Sequence, residues 1–233
     1  MDKTHNRTPL RPAMKMAELL DLDFSLLGVF NRMGLPFGFG EATVAEVCAK
    51  AGVDAETFLL ICRVYAFDGY RPTRELLNQA KVQDILDYLR GSHAYYMDVA
   101  LPGLASALEK MSLPCNPRQQ QVIRRFFADY KEELAKHFAY EENTVFPYVY
   151  AVLEHSGEGG FSIGEYEENH SNVEEKLEDL KNLVMKYIPA STDQQYAFQA
   201  LILIFTLEYD LGKHTVIEDE ILVPMVGRME GHE

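Results

Sequence analysis

Basic side chains are scarce in this chain of 233 residues: 22 lysines and arginines stand against 36 aspartates and glutamates, a formal net charge of −14. Binding to nucleic-acid phosphate needs clustered Lys and Arg, so nucleic acid is excluded as the main partner. Long apolar runs are also missing. The longest candidate, Phe198 to Leu207, is interrupted by Gln199 and Thr206 and closed by Glu208. It falls short of the ~18 residues that a membrane span requires, so no membrane association is expected. Cysteine is sparse: Cys48, Cys62 and Cys115 are odd in number, scattered and never in CxxC spacing. That excludes a disulfide framework and fits a reducing compartment. The stretch Met1 to Arg11 is polar and lacks the apolar segment of a secretory signal. Together these features predict a cytoplasmic protein.

What is present is ordinary globular composition, 47% hydrophobic and 25% charged, long enough for one large domain or two unequal ones. Three- and four-residue spacing of apolar positions predicts a helix from about Glu75 to Met111, kinked or split by Pro102. A second is predicted from about Arg118 to Leu153 and a third from Ile163 to Tyr187, stopped by Pro189. A fourth starts after the N-cap candidates Ser191, Thr192 and Asp193 and runs to about Arg228. Glycines in His155 to Gly160 mark a loop. Four such helices with short connections predict an all-α, up-down antiparallel bundle. The first 72 residues differ, with shorter apolar segments at Met16 to Phe30, Val44 to Ala51 and Ala55 to Phe67 around a Gly34 to Gly40 loop. Residues 1–72 therefore read as a small helical domain, closed by the Gly69 to Pro72 linker, and residues 73–233 as the bundle.

The histidines expose an internal repeat. His93 and His137 are 44 residues apart, as are His170 and His214, and an offset of 77 carries the first pair onto the second. Glu141 and Glu218 share that offset, as do Pro147 and Pro224, and the acids Glu133 and Asp210. Each half thus reads as a helix bearing one His, then a helix bearing His-x-x-x-Glu with a Pro ten residues after the His. Positions i and i+4 share a helix face about one turn apart, so each His and Glu can reach one centre. A single pair of this kind is common as a mere helix-stabilising contact; two pairs, two further histidines and two prolines at one offset are not. Buried without a ligand or full pairing, such groups would cost several kcal/mol apiece. Imidazole and carboxylate without thiolate suit iron, manganese or zinc.

Other candidates are weaker. His155 and His232 also obey the offset, but lie 18 residues past His137 and His214, about 27 Å along a continuous helix. They read as surface residues near helix C-termini. Glu174 pairs with His170 at i+4, yet its counterpart is Met97, and a solvated acidic face is the simpler reading. Glu133 and Asp210 could accept from imidazole N–H groups, line an entrance, or be surface acids. Cys48 and Cys62 read as small buried apolar residues. Tyr95, Tyr96 and Tyr140 lie within a turn of the predicted ligands, where they either line the approach or pack the core.

His137-Phe-x-x-Glu141-Glu142, His214-x-x-x-Glu218 and the single His93 and His170 resemble a hemerythrin-like di-iron bundle. More narrowly, the chain resembles the bacterial iron–sulfur cluster repair family, of the type regulating cell morphogenesis and NO signalling. Met16 to Gly34 resembles the first helix of that family's small domain, and Thr43 to Glu56 its second and third. The resemblance implies two iron ions, bridged by an oxo or hydroxo group, held by His93, His137, Glu141, His170, His214 and Glu218. It implies a stress-response function on damaged iron–sulfur clusters, through NO or O₂ chemistry or iron donation, with iron–sulfur proteins as partners. It also makes residues 1–72 a docking or dimerisation unit. The family's adjacent Cys pair is missing, its place held by Leu35 to Phe39, which leaves a dithiol role without residues to carry it.

The competing class is a non-catalytic sensor or carrier of O₂ or NO. O₂-carrying hemerythrins, which the site resembles, have a further His that blocks one iron, and no fifth His lies at a suitable spacing here. A helix-turn-helix reader over Thr43 to Phe67 is disfavoured by 8 basic against 9 acidic residues in the first 72. A ferritin-type ferroxidase would be expected to show two Glu-x-x-His motifs with more carboxylate ligands, and this spacing occurs once, at Glu167 to His170.

Overall fold

The computed structural model describes residues 10–154, 162–169 and 174–231; the side chains of residues 167–169 and 174 lie outside this description. The chain is helical, and among the described residues the one extended pairing is an isolated bridge between Lys15 and Thr43. By packing it divides into two units, residues 1–91 with 220–225, and residues 92–219 with 226–233. The division falls inside a helix.

Unit 1 contains α1 (Met16–Leu20), α2 (Leu26–Arg32), α3 (Val44–Ala51), α4 (Ala55–Ala66) and α5 (Arg74–Gln79). Its helix ends are written in the sequence. The Thr43 hydroxyl accepts from Glu46 N–H while the Glu46 carboxylate accepts from Thr43 N–H, a reciprocal cap for α3. Asp54 accepts from Thr57 N–H at the start of α4. The segment Met16 to Phe30 is two helices rather than one, separated at Asp21 to Ser25. The predicted helix from Glu75 is likewise interrupted, because Ala80 is extended (ψ 151°) after α5, and α6 (Val82–Tyr95) starts anew. Gly91 meets the Arg32 backbone so closely that a Cβ there would lie 2.8 Å from the Arg32 carbonyl oxygen. Only glycine fits without displacement. Cys48 and Cys62 are fully buried in this unit and unbridged, as the sequence reading expected of them.

Unit 2 carries the bundle. Its helices are α7 (Leu101–Ser112), α8 (Pro117–Tyr140), α9 (Phe146–Leu153), α10 (Ile163–Asn169), α11 (Glu174–Asn182), α12 (Gln194–Ile217) and α13 (Val223–Met229). α7 packs on α8 and α12, and α11 packs on α8 and α12, closing a four-helix ring. Leu104, Met111, Leu134, Leu177, Leu180, Ala200 and Ile204 fill its interior, all buried. Asn116 caps α8 reciprocally with Gln119, and Asp193 caps α12.

A wider π turn interrupts each long helix: Tyr96–Ala100, Glu141–Val145, Leu183–Tyr187 and Glu218–Leu222. Every one is followed by one residue and then a proline: Pro102, Pro147, Pro189 and Pro224. Proline lacks an N–H and its ring presses on the carbonyl four residues back. The helix widens to relieve this, so Leu101 N–H bonds Tyr96 O and Phe146 N–H bonds Glu141 O, five residues back. Pro102 therefore interrupts the α-helical bonding without ending the helix, which resumes as α7. After Pro189 the chain leaves the helix, Ile188 being extended.

The thiols supply a test of this packing. Burial pushes Cys48 up to about 12 and Cys62 well above the ordinary thiol range, and Cys115 is also buried. Thiolate is the reactive form. Alkylation of the native protein with iodoacetamide at pH 8 should leave Cys48 and Cys62 unmodified in mass spectra, and denaturant should expose both. Rapid labelling of either in the native state would contradict the packing of α3 against α4.

Candidate metal centre

Two of the four π turns begin on the glutamates that the repeat singles out, Glu141 and Glu218. π turns interrupt α-helices most often at functional sites. Here the wider turn follows directly on the His-x-x-x-Glu segments His137 to Glu141 and His214 to Glu218. Both carboxylates are fully buried, and His93, His137 and His214 are nearly so.

The structure brings these side chains together. His93, Glu141, His214 and Glu218 each offer one ligand atom, and these atoms all lie within 4.8 Å of one another. His93 Nε2 is 3.1 Å from Glu141 Oε2, His137 Nε2 is 3.0 Å from Glu141 Oε1, and His214 Nε2 is 3.3 Å from Glu218 Oε1. The two oxygens of Glu141 therefore face two different imidazoles. The donor set passes a simple test of fit. Ligands held about 2.1 Å from an ion and at right angles to one another lie about 3 Å apart, which these contacts match. His170 lies outside the described residues, as do His5, His155 and His232.

Aromatic walls shield the centre. The His93 ring stacks on Phe138 at 4.1 Å and on Phe146 at 5.7 Å. Tyr96, fully buried, has its ring 5.8 Å from that of His214. Of the tyrosines weighed from the sequence, Tyr96 is thus in the wall, whereas Tyr140 is exposed. The electrostatics favour a cation. Burial alone would lower the His93 pKa, but hydrogen bonds to Glu141 and Glu142 and the charges of Glu141 and Glu218 outweigh it and raise it above the ordinary imidazole value. A centre that attracts a proton this way also attracts a metal ion.

Glu133 and Asp210 stand outside the group. Glu133 is ion-paired with Lys176 across the bundle, and Asp210 is buried one turn before His214. Two residues assigned no role of their own from the sequence do touch it. His93 Nδ1 lies 2.8 Å from Glu142 Oε1, so a proton on Nδ1 is held there while Nε2 faces the centre. Tyr166 on α10 donates its hydroxyl to Glu141 Oε1 at 2.9 Å. The offset of 77 carries Glu142 onto Asp219, also acidic, which was an available signal. Tyr166 maps to Leu89, so the repeat conceals it, and only its position four residues before His170 would have pointed to it.

Residues 84–226 match the family model of the hemerythrin HHE cation-binding domain, more than half of the chain. No curated protein sequence matches it.

The Glu142 contact leads to a measurable outcome. Outer partners of ligating imidazoles are worth about 10–100-fold in metal affinity. Glu142→Ala should therefore shrink the rise in melting temperature caused by anaerobic Fe(II), while leaving the metal-free melting temperature nearly unchanged. An undiminished metal-induced rise would show that Glu142 does not orient His93.

Proposed function

The chain belongs to the hemerythrin HHE cation-binding family, and from that premise we propose that it is a di-iron protein of the nitrosative and oxidative stress response. In this reading it assists repair of damaged iron–sulfur clusters, by NO or O₂ chemistry or by donating iron. The ligands would be His93, His137, Glu141, His170, His214 and Glu218. One observation carries the two-ion reading: Glu141 turns Oε2 toward His93 and Oε1 toward His137, as a carboxylate does when it spans two ions. His93, His137, His214 and Glu218 would hold the ions together with Glu141.

Iron bound there would supply open positions for a small diatomic ligand, NO or O₂, and hemerythrin domains typically bind such gases. The chain's own groups set the conditions. Glu142 holds the Nδ1 proton of His93 so that Nε2 is free to ligate. Phe138 and Phe146 keep water off the same ring. Four imidazoles and two carboxylates would not fill the roughly twelve positions of two six-coordinate ions, which would leave room for such a ligand. Residues 1–72 would serve as a docking or dimerisation unit toward iron–sulfur proteins or a second copy. Three free, buried cysteines agree with a reducing cytoplasm. Among the described residues, no helix is long and apolar enough to cross a membrane.

Metal analysis of anaerobically reconstituted protein should return two irons per chain; one or none would overturn the reading. His137→Ala and His214→Ala should each lose most of the iron, and His155→Ala should keep it. The reaction itself is tested with the reduced protein, which on mixing with NO should develop iron-nitrosyl absorption. A stable, reversible O₂ adduct with no response to NO would instead make the protein a carrier.

A further inference from the structure

Tyr166 is 1% exposed, and its hydroxyl has no route to water, so it must find its partner inside the protein. The partner at hydrogen-bond distance is Glu141 Oε1, at 2.9 Å, and the Glu218 carboxylate also acts on the hydroxyl. The same oxygen lies 3.0 Å from His137 Nε2. A carboxylate oxygen has two lone-pair directions, and here one faces an imidazole and the other a phenol. Glu141 Oε2 faces His93. Three side chains from three helices, α6, α8 and α10, thus fix the plane of one fully buried carboxylate.

We infer that Tyr166 is a positioning residue of the metal centre: its hydroxyl, donating to Glu141, holds that carboxylate with one oxygen turned to His93 and the other to His137. The inference rests on the two-ion reading above and deepens it. Without the hydroxyl, Oε1 loses a hydrogen-bond donor that faces it from α10, and the carboxylate is held less firmly in this orientation. With it, one lone pair of Oε1 stays with the phenol and the other stays turned to the His137 side. A hydrogen bond to a charged acceptor is roughly twice as strong as a neutral one, which suits this task. Tyr166 acts through Glu141 and is not itself a ligand.

The test compares wild type, Tyr166→Phe and Tyr187→Phe, the last an exposed tyrosine, in anaerobic Fe(II) titrations against a competing chelator. Parallel Co(II) titrations are followed by ligand-field absorption. Tyr166→Phe keeps the ring and should melt within a few degrees of wild type without metal. It should bind iron about 10–100-fold more weakly, and its Co(II) bands should shift, because the orientation of a ligand has changed. Tyr187→Phe should do neither. Unchanged affinity and unchanged Co(II) bands would overturn the inference. So would a phenolate-to-iron(III) charge-transfer band in the oxidised wild type that Tyr166→Phe abolishes, since the phenol would then be a ligand. The wild-type stoichiometry in the same titrations reports separately on the two-ion reading, whereas the ratio of variant to wild-type affinity reports on Tyr166 however many ions bind.

Discussion

Two carboxylates, Glu141 and Glu218, sit at zero exposure within one cluster, and the rest of unit 2 answers to that. An ionised carboxylate taken out of water costs several kcal/mol even after the protein relaxes, and a second one nearby adds repulsion. Nearby positive charge or hydrogen-bond donors must offset this. The imidazoles of His93, His137 and His214 stand 3.0–3.3 Å from the carboxylate oxygens and fill that role. They can do so as proton donors or, with the same spacing, as fellow ligands of an ion. The aromatic shell of Phe138, Phe146 and Tyr96 strengthens every such interaction by lowering the local dielectric. It also makes the arrangement unforgiving, since an imidazole removed from it leaves a buried carboxylate uncompensated.

The backbone is adapted to the same site. Proline would normally be a defect in the interior of a helix, yet three long helices continue through one directly after a π turn, and the π turn before Pro189 ends its helix. In two of them the turn begins on a buried glutamate. The local widening is fixed chemically, because no side-chain change elsewhere can give proline an N–H. Glu141 accepts a backbone bond from five residues ahead with its carbonyl while its side chain reaches His93 and His137. Strain-relieving backbone geometry and ligand placement therefore share a residue.

Unit 1 is held by different means. Reciprocal capping starts α3, and a cluster of Arg32, Tyr65 and Tyr88 joins α2, α4 and α6, with the two hydroxyls 2.7 Å apart and the guanidinium donating to both. It takes in α5 and the start of α6, so packing extends past the Gly69 to Pro72 linker. A composition change marks the Gly69 to Pro72 segment; which flanking helices pack with the small unit depends on side chains beyond it, such as Leu77 and Leu86, both buried.

The all-α class, the bundle helices and the Asp193 cap among its three candidates were legible because helix periodicity, Pro and Asx residues act locally, within about one turn. The cluster was legible for a rarer reason: the repeat writes its candidate ligands twice, at one offset, so His93, His137, Glu141, His214 and Glu218 stood out from spacing alone. His170 belongs to the same pattern and lies outside the described residues. What the repeat does not duplicate needed the tertiary structure. Tyr166 has no counterpart, and its value lies in a hydroxyl delivered from α10 to an oxygen 25 residues away. Glu142 differs from any exposed helix acid only because His93, 49 residues earlier, points its Nδ1 there. Glu133, which the repeat did single out, is drawn instead to Lys176. Spacing along a helix decides which groups share a face; only the packing of helices decides which of them touch.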